Sequence, residues 1–177
     1  MNSVYKKIDE VSDLLTPIQL SALADMYEDG VVVNADPELA LTYYQMAADM
    51  GDPYAQSIVA ERYASNNEDK LAIFWYLRAA EQGNPHAQYV LGKLFSDEEG
   101  GLLWLHLSAK QGSQLAMKEL SDRLLTIDPR QSKKWLKRYY RKRAKNQTDT
   151  FNSKKYMRLL KRERLPEVID GEVVIRI

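Results

Sequence analysis

The 177-residue chain contains no cysteine. Disulfides and thiolate-held metals are therefore excluded, although this alone does not fix the compartment. Only two histidines occur, His86 and His106. Neither has a second histidine or a carboxylate at ligand spacing, so no metal or other cofactor is expected. No run of about eighteen apolar residues exists, so neither a spanning helix nor a membrane partner is expected. The opening residues, Met1 to Glu10, lack the apolar centre of a signal peptide, and a cytoplasmic location is expected. Phosphate-cradling glycine loops, a Gly-x-Ser-x-Gly elbow and a cysteine nucleophile are all missing, and a non-catalytic protein is expected. Asp97-Glu98-Glu99 reads as a solvated acidic cluster in a tight loop rather than an acid–base pair.

Net charge is also absent, because 25 Lys and Arg balance 25 Asp and Glu. That zero conceals a division. Residues 1–129 hold 9 basic and 20 acidic residues, a net −11, whereas residues 130–177 hold 16 and 5, a net +11. An acidic half attracts basic partners, and a basic half attracts nucleic acid, lipid or acidic partners. The two halves can also attract each other, within one chain or between chains, so a salt-sensitive self-association is a further expectation.

What is present is a repeat. Tyr43, Trp75, Trp104 and Trp135 stand 32, 29 and 31 residues apart. Three positions before each ring lies a small residue: Ala40, Ala72, Gly101 or Ser132. Four and five positions after come Ala47-Ala48, Ala79-Ala80, Ser108-Ala109 and, breaking the pattern, Tyr139-Tyr140. Offsets of three, four and eight from a ring define one face of a helix, here helix B, with the rings in its core. A second register defines helix A. Its start, at Gln19, Ala55, Ala87 and Ala116, is followed four positions on by Leu23, Val59, Leu91 and Leu120. Tyr27, Tyr63, Phe95 and Leu124 close the set.

The punctuation agrees with this periodicity. Gly51-Asp52-Pro53 and Gly83-Asn84-Pro85 each read as a left-handed helix stop, an N-cap and a first-turn proline. Thr16-Pro17, Asp36-Pro37 and Asp128-Pro129 repeat the cap-then-proline start. The A-to-B connections shorten along the chain, the third being little more than Ser96 to Gly101.

These residues resemble the Sel-one-like repeat family, a relative of the tetratricopeptide repeats. The likeness is clearest over Leu23-Ala24-Asp25-Met26-Tyr27-Glu28-Asp29-Gly30 and at the junction from Ala79 to Gln88. It covers roughly residues 17 to 143. The resemblance implies an all-α, right-handed solenoid of about four helix-turn-helix repeats, used as an adaptor surface and commonly bacterial, with no inherent catalysis. Such a protein serves as an adaptor, a regulator or an immunity-type inhibitor of a toxic effector.

The expected organisation is a capping helix in residues 1–16, repeats over 17–51, 52–83, 84–112 and 113–143, and a basic extension over 144–177. Val4, Ile8, Val11 and Leu15 share a helical face in the capping segment, where a solenoid must cover its first repeat. The fourth B helix is expected to run past Tyr140 to about Asn146. A further helix starts at Asn152-Ser153, and Glu172 to Ile177 alternates like a strand. That strand can pair back on residues 167–169, dock in a groove, or add to a partner's sheet.

Two surfaces are candidates for function. The concave wall is expected from exposed A-helix positions: Ser21, Asp25, Ser57, Glu61, Tyr89, Lys93, Lys118 and Asp122. Its partner is another protein, and Tyr89 is the first anchor candidate because aromatic residues are enriched among binding hot spots. The basic patch comprises Lys133, Lys134, Lys137, Arg138, Arg141, Lys142, Arg143, Lys154, Lys155, Arg158, Lys161 and Arg162. It reads either as a solvated face paired with acidic repeats or as a phosphate-binding surface for nucleic acid. Tyr139-Tyr140 reads as a cap over the last repeat, with base stacking as the alternative.

Overall fold

The computed structural model describes residues 15–30, 33–96, 99–146, 167–169 and 172–174. Eight helices appear among them: α1 (Pro17–Asp29), α2 (Pro37–Asp49), α3 (Pro53–Ser65), α4 (Asp69–Glu81), α5 (Pro85–Leu94), α6 (Glu99–Lys110), α7 (Gln114–Ile127) and α8 (Pro129–Asn146). The odd-numbered helices are the A helices of the repeat and the even-numbered ones the B helices. The protein is thus an all-α repeat fold, as the periodicity requires. The expected capping helix, the helix beginning at Asn152 and residues 175–177 lie outside the described residues. A short antiparallel pairing joins β1 (Glu167–Ile169) to β2 (Glu172–Val174), with Val168 opposite Val173. Of the three partners open to the C-terminal strand, the structure gives it residues 167–169.

Six of these helices begin where a side chain satisfies a free amide. Thr16 and Gln19 form a reciprocal capping box at α1. Asp36 accepts from the Leu39 amide at 3.1 Å, and Asp52 from the Ala55 amide at 3.2 Å. Asn84, Ser113 and Asp128 do the same for α5, α7 and α8. Caps of this kind are worth about 1 kcal/mol each. Helix α4 differs: Glu68 makes no side-chain cap, and the turn before it places Asn67 at φ 61°. Gly51 and Gly83 take φ of 99° and 91°, the left-handed stop their position predicts, and Gly112 ends α6 in the same way at 99°.

The chain divides into two units, residues 1–91 and 92–177. In the first, α1 packs on α2, α2 on α3 and α3 on α4. Its core is mainly alanine and tyrosine: Ala24, Ala40, Ala47, Ala48, Ala55, Ala60 and Ala79 are buried, with Tyr43, Tyr44, Trp75 and Tyr76 between them. Small residues let the helix axes approach while the rings fill the remaining space. In the second unit α6 packs on α7 and α7 on α8. Ser121 and Ser132, both buried, meet where α7 and α8 cross, and the Ser132 hydroxyl donates to the Ser121 carbonyl at 2.7 Å.

Three details depart from the register. Leu20, rather than Leu23, is the fully buried leucine of α1; Leu23 is half-buried. Trp104 is also half-buried, unlike Tyr43, Trp75 and Trp135. Glycines at 100 and 101 belong to α6, which opens at Glu99, so the third A-to-B connection is shorter than Ser96 to Gly101.

Gln56 and Gln88 occupy the position next to the alanine that starts the A-helix register. Both are buried, and each donates through Nε2 to a carbonyl near the end of the preceding B helix, Ala48 at 3.1 Å and Ala80 at 3.0 Å. These carbonyls lie in the last turn of the B helix, where each also accepts a backbone amide of the following turn, Gly51 at 3.0 Å and Gly83 at 2.9 Å. The glutamine therefore joins one repeat to the next by a buried hydrogen bond.

Candidate functional site

A concavity of the first unit lies between the exposed faces of α1 and α3. It has a volume of about 580 Å³ and is lined by Asp25, Glu28, Asp29, Tyr44, Tyr54, Ile58, Glu61, Arg62 and Ser65. The helical period explains the list. Asp25, Glu28 and Asp29 are spaced i, i+3, i+4 on α1, and Tyr54, Ile58, Glu61, Arg62 and Ser65 form one stripe on α3. Tyr44 reaches in from α2, where it stands beside the core ring Tyr43.

The polar network has Asp25 at its centre. The Tyr44 and Tyr54 hydroxyls both donate to Asp25 Oδ1, the latter at 3.0 Å, and the two rings meet edge to face at 6.2 Å. Burial, reinforced by the Asp25 carboxylate, pushes both phenols above their ordinary pKa of 10. They stay protonated donors at neutral pH. Arg62 pairs with Glu28 at 2.8 Å, and His86 Nε2 with Glu61 at 2.8 Å. Both pairs are well exposed, so each contributes at most about 1 kcal/mol. The Asp29 side chain is exposed and makes no ion pair among the described residues. Four carboxylates thus face one guanidinium, and the cleft is negative.

Of the eight residues expected on the A-helix wall, Asp25 and Glu61 come together in this cleft. Ser21 and Ser57 require correction: they are only 5% and 3% exposed, and so cannot present a wall to a partner. The Ser21 hydroxyl donates to Asp52, the N-cap of α3. At this offset a small residue is drawn into the helix contact, while the larger Tyr89 and Lys118 remain half-buried. Lys118 and Asp122 pair with each other along α7. Lys93 is exposed at the end of α5.

The sequence offsets missed Glu28, Asp29, Tyr54, Ile58, Arg62 and Ser65, because two positions per helix do not define a stripe. Extending Asp25 and Glu61 by three, four and seven would have found most of them. Tyr44 carried no separate signal, since Tyr43-Tyr44 reads as core.

A second, smaller concavity of about 360 Å³ opens on the second unit, lined by Asp128, Arg130, Gln131, Lys134, Trp135 and Arg138. Arg138 lies over the Trp135 ring at 4.7 Å. Lys133, Lys134, Lys137, Arg138, Arg141 and Arg143 are exposed on α8. Lys142 is not part of this free patch: it is half-buried and donates to the Gly112 carbonyl, an acceptor left at the end of α6. Tyr139 and Tyr140 are half-buried and meet edge to face at 5.1 Å. Lys154, Lys155, Arg158, Lys161 and Arg162 lie outside the described residues. So do Asp97 and Glu98 of the acidic cluster, whose Glu99 begins α6. Among the described residues, no group of three or more histidines and carboxylates is placed to hold a metal ion, and no helix is long and apolar enough to cross a membrane.

The sequence pattern of the Sel1 repeat matches residues 20–52, 62–84 and 85–113. No curated protein matches the chain. Among solved structures, a Sel1 repeat protein from Oxalobacter formigenes is 27% identical, with a TM-score of 0.58, over 67% of this chain and 97% of that one. The c5321 protein, a protective antigen present in uropathogenic Escherichia coli strains and displaying an SLR fold, is 26% identical with a TM-score of 0.62. That match covers 73% of this chain but 30% of the antigen, so the chain spans under a third of that protein's length.

Proposed function

The chain belongs to the Sel1 repeat family, whose members are in general non-catalytic scaffolds for protein–protein interaction, and from that premise we propose that its α1–α3 cleft holds a basic segment of a partner protein. The observation that carries this reading is the cleft itself. Four carboxylates and two tyrosine hydroxyl groups line an open hollow with Ile58 among them. An arginine or lysine side chain entering it finds carboxylate acceptors for its head and rings for its stem. Tyr54, 44% exposed, is the aromatic anchor best placed for such a contact.

The reading covers an adaptor, a regulator and an inhibitor of a toxic effector, in the bacterial setting that both structural neighbours share. The identity of the captured protein separates these roles. The test is affinity purification from the native host at about 0.3 M salt with nuclease, comparing the parent chain with Asp29→Lys and Tyr54→Ala. At that ionic strength the Debye length falls well below its roughly 10 Å at 0.1 M, so a packed interface outlasts loose charge attraction. A stoichiometric protein held by the parent and lost from both variants supports the reading. Recovery of nucleic acid alone, abolished by nuclease, overturns it in favour of phosphate binding through α8.

A further inference from the structure

Helix α8 carries its cations in a stripe. Arg130, Lys134, Lys137, Arg138 and Arg141 fall within about a third of the helix circumference at 3.6 residues per turn, and all five are exposed. Arg130, Lys134, Lys137 and Arg141 form no ion pair among the described residues, although the chain has as many acidic as basic residues. The opposite side of α8 is held in place by buried Ser132 and Trp135. The stripe is therefore a fixed basic ridge with nothing described upon it.

The α1–α3 cleft is its complement. From Arg130 to Arg141 the ridge runs about 16 Å at 1.5 Å per residue, and the α3 stripe from Tyr54 to Ser65 runs the same length. The cleft presents four carboxylates, of which Asp29 makes no ion pair among the described residues. Ridge and cleft therefore match in length and are opposite in charge. Because the chain has no net charge, two copies have no net repulsion at long range, and the basic ridge of one attracts the acidic cleft of the other.

We propose that copies of this chain associate head to tail, with the α8 ridge of one seated in the α1–α3 cleft of the next. The two surfaces differ, so the contact is heterologous, and unless the rotation closes a ring it extends into an open chain. A second copy is favoured over a foreign partner here because ridge and cleft are always present at equal concentration. The proposal uses the same cleft as the scaffold reading but needs no other protein, so either can fail alone.

The test is sedimentation velocity of the nuclease-treated full chain at about 0.05 M and 0.5 M salt, which bracket the Debye length of roughly 10 Å at 0.1 M. The parent should show an average mass above monomer that rises with concentration at low salt and falls toward monomer at high salt. Two charge-reversed variants follow, Arg130→Glu/Lys134→Glu and Glu28→Lys/Asp29→Lys, each expected to weaken association about tenfold or more. Mixed in equal amounts they should associate again, since each retains the half the other has lost. Both must keep the circular dichroism and melting of the parent; otherwise the neutral Arg130→Gln/Lys134→Gln and Glu28→Gln/Asp29→Asn take their place. A parent that stays monomeric at low salt, association indifferent to either variant, or a mixture that stays monomeric overturns the proposal. Loss of the parent's association on nuclease treatment also overturns it, and identifies nucleic acid as the bridge.

Discussion

The Tyr54 hydroxyl of the second repeat donates to Asp25 Oδ1 of the first at 3.0 Å, across 29 positions of sequence. The Tyr44 hydroxyl donates to the same oxygen. This contact links helix order to surface chemistry: the carboxylate that faces the cleft is oriented by a ring from the neighbouring A helix. Removing the hydroxyl should therefore affect both stability and docking. Tyr54→Phe is expected to cost about 1 kcal/mol in urea denaturation, below the usual range for bonds to charged groups because the site is partly exposed. A double-mutant cycle with Asp25→Asn should show coupling between the two changes. Strict additivity would mean the contact contributes nothing.

The buried glutamines give a second expectation. Gln56→Leu should fold, since the equivalent position in α1 is the fully buried Leu20. It removes the bond to the Ala48 carbonyl and leaves Gln82, which donates to Gln56 Oε1 at 2.7 Å, without that acceptor. Ala48 O still accepts from the Gly51 amide at 3.0 Å. The loss should be about 1 kcal/mol, the net worth of a hydrogen bond, rather than the larger cost of a buried orphan. Equilibrium unfolding in urea checks it.

Two adjacent glycines in α6 should respond oppositely to alanine. A Cβ at position 100 meets nothing within 4 Å, so Gly100→Ala should stabilise by about 0.5–1 kcal/mol through helix propensity. At position 101 the Cβ would fall on the Phe95 carbonyl, which cannot yield as a side chain could. Overpacking costs about 1–3 kcal/mol and outweighs the propensity gain, so Gly101→Ala should destabilise. Thermal melts of the two variants should move in opposite directions.

His106, half-buried against the Trp135 ring at 5.6 Å, supplies a pH dependence. Burial first, and then the nearby Lys110 charge, lower its pKa below 6.5. A histidine whose folded pKa is depressed binds its proton more readily when unfolded. Its contribution is complete above about pH 6.5 and is lost as pH falls through the folded value. Urea midpoints between pH 7.5 and 5 should fall more steeply for the parent than for His106→Gln. Equal slopes would remove His106 as the cause.

Most of the architecture was legible because repeats state the same packing several times. Ala47-Ala48 and Ala79-Ala80, together with the Gly-Asp-Pro and Gly-Asn-Pro junctions, fix helix faces and ends on one set of steric rules. The cleft was less legible. Asp25 and Glu61 followed from their offsets, but Ser21 and Ser57 have the composition of exposed residues and the size of buried ones, and size prevailed. Gln56 and Gln88 look like surface residues until the Ala48 and Ala80 carbonyls they satisfy are in view. Lys142 belongs to the basic run by composition, and only the Gly112 carbonyl beside it shows otherwise.

The central claim, that the α1–α3 cleft is a protein-docking surface, is tested most directly by site-specific photocrosslinking in the native host. A photoreactive side chain replaces Ser65 at the cleft, and in a separate chain it replaces Thr126, exposed on the second unit. The account predicts one defined protein adduct from position 65, absent from position 126 and abolished when Asp29→Lys is added. Adducts that are the same from both positions, or that persist unchanged with Asp29→Lys, would contradict it.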